Sequence, residues 1–407
     1  MILNSTPVEQ TIDGDRRERF IKEIVLSRPD GSPALPNDHD IDDADDDDDD
    51  EPPLAADDNG MPPVGGYGPE RAPVPLAMVR KRRAEVGPEG PKAAQTRAAV
   101  LLIHGYGQNR YVWHLPSRSF SNYLAAEGFD VFNLDLRGHG RSRHLGARPP
   151  RDLADYVRED LPAAVAEVRR VSGHERVFLV GHSLGGLISY AAAPALSDKI
   201  AGIVTLGSPY HFTRGSRFLS IFGNVMLALD ERIPLGNGLH LKDAGELMRL
   251  ARVFIESPLF PLPIRGHNPG AIEPKILGQH MSLAMDRGSV AVMRNLFLRA
   301  AQARASGHRL GVLYGFAAAF EALHLPLLVV AGSEDGLAPP ESVRPAYERS
   351  ASPDKAYRVF PNGHIDIVVG RDAPQTIWPL IANWMKTRTP QANESGNVQA
   401  ERKSNDR

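Results

Sequence analysis

Apolar residues follow two alternating patterns between residues 98 and 206 of this chain. Short apolar runs predict buried strands at 98–103, 129–134, 177–180 and 200–206, with an earlier strand at 74–80. Longer segments with apolar residues at helical spacing predict helices at 115–127, 153–171 and 187–196. Because strands that alternate with helices usually pair in parallel, the pattern predicts an α/β fold with a mostly parallel sheet flanked by helices.

The alternation stops after residue 209. The next hundred or so residues show helical patterns, at 217–229, 239–256, 275–285 and 289–305, and no convincing core strand. Strand patterns return at 325–331 and 355–360, and a helix is predicted at 374–386. We therefore expect a helical cap at 210–320, inserted between a first part of the core at 73–209 and a second part at 321–387.

The two ends of the chain are polar. Residues 1–70 hold 20 acidic and 5 basic side chains, although the net charge of all 407 residues is only −3, so an acidic start precedes a basic body. This segment is too acidic and too rich in Pro and Gly to bury a core, which predicts a disordered acidic tail at 1–72 with at most a short helix at 16–26. Its acidic run lacks the glycine and the final glutamate of an EF-hand loop, which favours a solvated tail over a Ca²⁺ site. Residues 388–407 predict a disordered C-terminal tail.

Composition excludes several classes of site. The chain has no cysteine, which rules out a disulfide scaffold, a zinc–thiolate site and a cysteine nucleophile. It has no metal motif, dinucleotide fingerprint or nucleic-acid-binding motif, so we expect no cofactor, no metal and no nucleic-acid partner. Neither a signal-peptide pattern nor a run of about 18 apolar residues is present, and we expect a cytoplasmic protein without a transmembrane segment.

One sharp turn carries the candidate chemistry. The strand at 177–180 runs into Gly181, His182, Ser183, Leu184 and Gly185, and a helix pattern follows. This G-x-S-x-G sequence between a strand and a helix is typical of a nucleophile elbow, in which backbone strain lifts the serine hydroxyl above the sheet. The alternative is an ordinary glycine turn after a strand.

A serine nucleophile needs a base and an acid that orients the base. Asp335 follows the strand at 325–331, and His364 follows the strand at 355–360 and is the only histidine after Asp335. All three side chains thus follow strands, at the carboxyl edge where open α/β sheets place their sites. We predict the catalytic residues Ser183, Asp335 and His364. Glu334 and Asp135 are the alternative acids, and a solvated loop is the alternative for His364.

Two backbone N–H groups are candidates for an oxyanion hole. One belongs to Leu184, directly after the nucleophile, and the other to Tyr106, in the glycine-rich turn after the strand at 98–103. The neighbouring residues His104 and His182 are expected to pack and to support the site without a chemical role.

These motifs resemble those of the α/β-hydrolase superfamily over about residues 98–387. The resemblance is carried by the elbow, by the His-Gly pair at 104–105, by Arg-Gly-His-Gly-Arg-Ser at 137–142 and by Gly363 before His364. Segments 115–131 are similar to acid lipases, and segments 338–342, 363–370 and 378–379 resemble the C-terminal end of polyhydroxyalkanoate synthases. Those synthases use a cysteine at the elbow, whereas this chain has Ser183.

The resemblance implies a serine hydrolase that cleaves carboxylic esters, with an ester or lipid-like small molecule as its partner. The apolar clusters at 218–222 and 253–255 of the cap would line an acyl tunnel or simply fix the cap to the core. Two other functions stay open: acyl transfer to an acceptor other than water, and a non-catalytic binding protein with the same fold.

Overall fold

The computed structural model describes residues 1–27, 75–88, 90–228, 239–240, 266–307 and 316–389. Most of the predicted tail at 1–72, most of the predicted helix at 239–256, the cluster at 253–255 and the C-terminal segment from 390 lie outside the described residues. The described part is an α/β structure with one large sheet, in agreement with the predicted fold class.

Twelve of the strands form this sheet. The strands are β1 Ile2–Asp13, β2 Arg16–Ser27, β3 Leu76–Gly87, β4 Gly90–Ala93, β5 Ala99–Ile103, β6 His114–Leu115, β7 Arg118–Ser119, β8 Asp130–Leu134, β9 Val177–His182, β10 Ile200–Leu206, β11 Leu239–His240, β12 Arg287–Gly288, β13 Leu327–Gly332 and β14 Lys355–Phe360. Their order across the sheet is β14-β13-β10-β9-β5-β8-β3-β2-β1-β7-β6, and β4 pairs with β3. Strands β11 and β12 pair with each other outside it.

The centre of the sheet is parallel. Strand β5 pairs in parallel with β8 and β9, and the parallel pairing continues through β10 and β13 to β14. Side chains of β5 alternate between two apolar cores: Leu101 and Ile103 belong to one, Val100 and Leu102 to the other. A strand that is apolar on both faces must be covered on both sides, which explains the continuous apolar runs in the sequence.

Helices cover both faces. They are α1 Phe120–Ala126, α2 Gly140–His144, α3 Leu153–Asp155, α4 Leu161–Ser172, α5 Leu184–Ala192, α6 Arg217–Ala228, α7 Pro274–Gln279, α8 Val290–Ala305, α9 Ala317–Glu321, α10 Pro340–Arg349, α11 Asp366–Val369 and α12 Ile377–Lys386. Turns of 3₁₀-helix lie at Arg110–Trp113 and Ala193–Leu196, and π-helical turns lie at Tyr156–Asp160 and His280–Ala284.

The helix predicted at 115–127 begins later than expected, at Phe120. The Ser119 side chain accepts a hydrogen bond from Asn122 N–H and so caps the helix there. Before the helix, Leu115 pairs with Arg118 across a short antiparallel turn. Residues 115–119 are therefore not helical.

The first 27 residues are not a disordered tail, and residues 16–26 are not a helix. Strands β1 and β2 form an antiparallel hairpin, and β2 pairs with β3 of the main sheet. The link between them is a tight turn with Gly14 at a φ of +56°. The sequence contained this signal, because Gly-Asp at 14–15 between two runs of strand-forming residues predicts a two-residue hairpin. The high number of acidic residues in 1–70 led to the prediction of a disordered tail instead.

The hairpin is anchored by buried groups. Phe20 has no exposed surface and belongs to the same apolar core as Ala98 and Phe129. On β3, the Arg80 guanidinium donates to both carboxylate oxygens of Asp130 and to Glu23 of β2, at 2.7–2.9 Å. The acidic residue Glu23 therefore neutralises a buried cation of the body and belongs to the folded domain.

The cap holds a small apolar core of its own. Leu219 and Met226 of α6 pack against Phe297 of α8, and Phe222 meets the same ring edge-on at 5.6 Å. The 218–222 cluster therefore joins two cap helices. In the described part of the cap, the strand pairing is the two-residue ladder between β11 and β12, and the rest is helix and loop.

None of the helices among residues 1–27, 75–228 and 266–389, as far as they are described, is both long enough and apolar enough to cross a membrane.

Truncating Phe20 tests whether the hairpin belongs to the core. Phe20→Ala should lower the free energy of unfolding by about 3–5 kcal/mol, because it opens a cavity in a packed core. Val86→Ala, at a valine with 68% of its surface exposed, is the control and should change it by less than about 0.5 kcal/mol. Urea unfolding followed by circular dichroism measures both. Equal stability of the two variants would contradict the placement of the hairpin.

Candidate active site

The turn after β9 has the strained geometry that the sequence predicts for an elbow. Ser183 has φ +53° and ψ −119°, in a region that side-chain-bearing residues rarely occupy. A Cβ on Gly181 would lie 2.4 Å from Gly186 N, and one on Gly185 would lie 2.2 Å from Ile103 O. Both glycines are therefore required by the close approach of the helix and of strand β5, and Ser183 is half-buried at the carboxyl end of β9.

The three predicted catalytic residues lie together. Ser183 Oγ is 2.9 Å from His364 Nε2, and His364 Nδ1 is 2.8 Å from Asp335 Oδ2. The Asp335 side chain is fully buried and that of His364 nearly so. Strands β9, β10, β13 and β14 follow one another in the sheet and run in parallel, so β9, β13 and β14 end at the same edge. This places residues from three distant parts of the chain within hydrogen-bonding distance.

The loop after β13 fixes the carboxylate of Asp335. Its Oδ1 atom accepts hydrogen bonds from the backbone N–H groups of Leu337 and Ala338, at 2.9 and 2.7 Å. Its Oδ2 atom is left to accept from His364. Gly207 has φ +52°, and a Cβ there would lie 3.0 Å from Asp335 Oδ2, so the end of β10 also needs a glycine.

The turn that carries His364 is held by a second buried carboxylate. Asp366 Oδ2 accepts from Gly363 N–H at 2.8 Å, and its Oδ1 accepts from Asn268 N–H at 3.3 Å. Burial raises the pKa of Asp366 although these N–H groups oppose the shift. Ile365 N–H donates to Gly266 O at 2.7 Å, so the segment before α7 braces the same turn.

The alternative acids are placed elsewhere. Glu334 is exposed. Asp135 accepts hydrogen bonds from Arg110 N–H, from the Arg110 guanidinium and from Arg141 N–H, all within 2.9 Å. Its carboxylate therefore holds two loops together after β8.

His104 supports the backbone, as expected. Its Nδ1 atom donates to Gly105 O at 2.9 Å, and its Nε2 atom accepts from Leu136 N–H at 3.1 Å. Burial lowers its pKa, which favours this neutral form.

His182 does more than pack at the elbow, and its partners could not be predicted from the sequence. Its Nε2 atom lies 2.9 Å from the backbone oxygen of His364, and its Nδ1 atom lies 3.2 Å from Gln108 Oε1. Gln108 Oε1 in turn accepts from Gly105 N–H at 3.1 Å. A continuous line of polar contacts thus joins the turn after β5 to the backbone of the candidate base.

The turn at 104–107 lies directly over the elbow. A Cβ on Gly105 would lie 3.2 Å from Ser183 Cβ, so the turn passes close to the candidate nucleophile at the residue before Tyr106. Leu184 is the first residue of α5, where a backbone N–H has no partner within the helix.

Residues of the cap form hydrogen bonds with the turn after β5. Asp286 N–H donates to Gly107 O at 2.8 Å, Asn109 N–H donates to Ala284 O at 3.0 Å, and the Tyr106 hydroxyl donates to Ser289 O at 2.9 Å. The Asp286 carboxylate also accepts from Gly140 N–H at 2.7 Å. A single cap segment at 284–289 thus fixes two loops of the core.

Within the part of the chain that the structure describes, no group of three or more His, Asp or Glu side chains has an arrangement suited to a metal ion.

Filling the space beside the elbow tests its geometry. Gly185→Ala should lower the melting temperature by at least about 5 °C, because its methyl group must displace the backbone of β5. Gly278→Ala is the matched control: no atom lies within 4 Å of its Cβ position in helix α7, so the melting temperature should stay the same or rise. Differential scanning calorimetry measures both. A Gly185→Ala protein as stable as the control would contradict the close approach.

Comparison with known proteins bears on the fold and on the family. A family model for the alpha/beta hydrolase fold matches residues 98–240. A poly(3-hydroxyalkanoate) polymerase subunit of Haloferax mediterranei is 25% identical over 320 residues, which are 74% of this chain and 61% of the relative. The chain thus spans less than two thirds of that relative's length. A monoacylglycerol lipase of Mycolicibacterium smegmatis is 28% identical over 270 residues, 65% of this chain and 80% of the lipase.

Among solved structures, a soluble variant of monoglyceride lipase from Saccharomyces cerevisiae aligns with a TM-score of 0.52. The alignment covers 84% of this chain and all of the yeast chain at 16% identity, so it bears on the fold alone. The parallel sheet with helices on both faces, the family match and these relatives agree. The chain has the α/β-hydrolase fold, and its residues 98–240 match the family of that fold.

Proposed function

We propose that the chain is a serine ester hydrolase that forms an acyl-enzyme on Ser183. The observation that carries the proposal is the continuous contact from Asp335 through His364 to Ser183, with both hydrogen bonds shorter than 3 Å. The lipase among the relatives supports the same reaction class. A non-catalytic binding protein would not need a base and an acid lined up with a serine in this geometry.

In the first step, Ser183 Oγ attacks the acyl carbon of the ester and gives its proton to His364 Nε2. The bond between the acyl carbon and the alcohol oxygen then breaks, and His364 returns the proton to the leaving alcohol. Asp335 accepts from Nδ1–H throughout, which fixes the tautomer and stabilises the imidazolium that forms. Water repeats the sequence on the acyl-serine and releases the acid.

The negative charge on the tetrahedral oxygen needs hydrogen-bond donors. We assign them to the backbone N–H groups of Leu184 and Tyr106, because one opens helix α5 and the other belongs to the turn that touches Ser183. One such donor contributes about 3 kcal/mol to transition-state stabilisation. The line of contacts through Gln108 and His182 would hold this turn in register with His364.

Acyl transfer to an acceptor other than water is the second candidate, supported by the polymerase subunit among the relatives. Ser183 at the elbow favours hydrolysis, as the sequence comparison with the cysteine-dependent synthases indicates. For the substrate we propose esters with a lipophilic acyl chain, on the basis of the monoacylglycerol lipase relative.

Removing the nucleophile tests the proposal directly. Ser183→Ala should lower kcat on p-nitrophenyl esters by at least about 10³-fold, because no acyl-enzyme can form. The assay uses a panel of increasing acyl length, together with labelling by a fluorophosphonate probe, and wild type alone should be labelled. Equal turnover by both proteins would refute the assignment of Ser183. Addition of a primary alcohol separates the two candidate reactions, since transfer yields a new ester and hydrolysis yields only acid.

Neutralising the acid tests which carboxylate orients His364. Asp335→Asn should lower kcat by about 10²–10⁴-fold, since the asparagine amide favours the wrong imidazole tautomer. Glu334→Gln is the matched control one residue away, and its exposed side chain should leave kcat within about twofold of wild type. Steady-state kinetics on the same ester measures both. A larger loss in the Glu334 variant would assign the role to that residue instead.

A further inference from the structure

The loop that holds Asp335 also binds the start of the cap helix α6. Ser216, the residue before α6, is 4% exposed, and its hydroxyl group donates to Gly336 O at 2.8 Å. Its Oγ atom also accepts from Leu219 N–H at 3.3 Å, and its backbone oxygen accepts from Ser220 N–H at 3.1 Å, so Ser216 caps the helix. The hydroxyl group thus gives its only proton to the loop and accepts from the helix.

The carbonyl group that Ser216 binds belongs to the peptide unit that also binds the candidate acid. This unit joins Gly336 C=O to Leu337 N–H, and the N–H group donates to Asp335 Oδ1 at 2.9 Å. In a trans peptide unit, as this one is, the C=O and N–H groups point in opposite directions. A hydrogen bond that fixes the C=O group therefore also fixes the direction of the N–H group toward the carboxylate.

Four hydrogen bonds, each 2.8 or 2.9 Å long, thus connect the cap to the candidate nucleophile. The Ser216 hydroxyl binds one side of the peptide unit, and Asp335 Oδ1 binds the other. Asp335 Oδ2 then accepts from His364 Nδ1, and Ser183 Oγ lies next to Nε2 of the same ring. Hydrogen bonds in such a chain polarise one another, which strengthens each by roughly 10–30%.

The turn before Ser216 is held in a strained conformation. Thr213 has a φ of +73°, which a β-branched residue rarely adopts. Its backbone oxygen accepts from Ser216 N–H at 3.2 Å, and its Oγ1 atom accepts from the Arg304 guanidinium of α8 at 2.7 Å. A Cβ on Gly215 would lie 2.8 Å from Pro339 Cγ, so the turn also packs closely on the loop after β13. Such strain persists only where surrounding contacts maintain it, so the position of Ser216 is closely defined.

Apolar packing joins the same loop to the cap. The Leu337 side chain packs against the small cap core of Leu219, Met226 and Phe297. The peptide unit before Leu337 is therefore held by a cap hydroxyl, and the side chain after it is held by cap side chains. A displacement of α6 would change both contacts at once.

We propose that Ser216 is a positioning residue for the hydrolase reaction. Its hydroxyl group orients the peptide unit between Gly336 and Leu337, and through that unit the carboxylate of Asp335. The cap helix α6 thereby takes part in aligning Asp335 with His364. This inference rests on the proposed function. Because Ser216 acts on the reaction only through Asp335, its loss should lower kcat and leave KM nearly unchanged.

Removing this hydroxyl group tests the proposal. Ser216→Ala should lower kcat on p-nitrophenyl esters by about fivefold or more, with KM within about twofold of wild type, because the carboxylate is less well oriented. Ser216→Thr keeps the hydroxyl group and should retain at least about half of the wild-type kcat.

Ser119→Ala is the matched control, because Ser119 is also a buried serine that caps a helix, and its Oγ contacts lie at residues 114, 121 and 122. It should lose a similar amount in melting temperature and keep kcat within about twofold of wild type. Wild-type kcat in Ser216→Ala, or an equal loss of kcat in Ser119→Ala, would overturn the role of Ser216.

Proton NMR of the resting protein separates this proposal from the proposed function. The Nδ1–H proton of His364, hydrogen-bonded to Asp335, should give a low-field signal that His364→Ala removes. Ser216→Ala should move this signal to higher field, since the hydrogen bond weakens, and Ser119→Ala should leave it in place. If wild type turned over no ester but the signal still moved in Ser216→Ala, the hydrolase function would fail and the orienting role of Ser216 would stand. A signal that did not move in Ser216→Ala would contradict that role.

Discussion

The rest of the site depends on a contact between two backbones, that of Gly185 in the first turn of α5 and that of Ile103 at the end of β5. A Cβ on Gly185 would lie 2.2 Å from Ile103 O, closer than real atoms approach. This proximity forces the chain from β9 into α5 through one strained residue, Ser183, at a φ of +53°. It also brings the turn after β5 over the serine. One steric constraint therefore presents the candidate nucleophile and positions the turn from which we expect an oxyanion donor.

A second constraint is that the site is tied together through backbone as well as through side chains. His182 follows the elbow strand, and its ring lies within hydrogen-bonding distance of the His364 backbone oxygen on one side and of Gln108 on the other. The backbone of His364 is thus held in place by the contact at its own oxygen. Only a rotation of its side chain is then needed to bring the ring between Ser183 and Asp335. Preorganisation of this kind reduces the reorganisation that charge development requires.

Segments outside the parallel sheet complete the structure. The cap segment at 284–289 pairs with the turn at 107–109 and also binds the loop at Gly140, so the cap and the candidate oxyanion turn are mechanically connected. The N-terminal hairpin extends the sheet and satisfies Arg80 through Glu23, while its Lys22 faces Lys81 across the ladder. The hairpin therefore contributes a carboxylate to a buried ion pair of the core.

The sequence by itself predicted the parallel core, the elbow and the three side chains that the structure brings together, Ser183, Asp335 and His364. It could do so because strand and helix periods and the order of strand ends are local properties. It did not determine the N-terminal hairpin: the Gly-Asp turn at 14–15 was present, but Phe20 and Glu23 find their partners on β3, β8 and neighbouring elements far along the chain. The same holds for His182, Gln108 and Asp286, whose partners lie up to 182 residues away. Only the tertiary structure decides such pairings, since the local sequence around a polar side chain does not specify which distant backbone group it will contact.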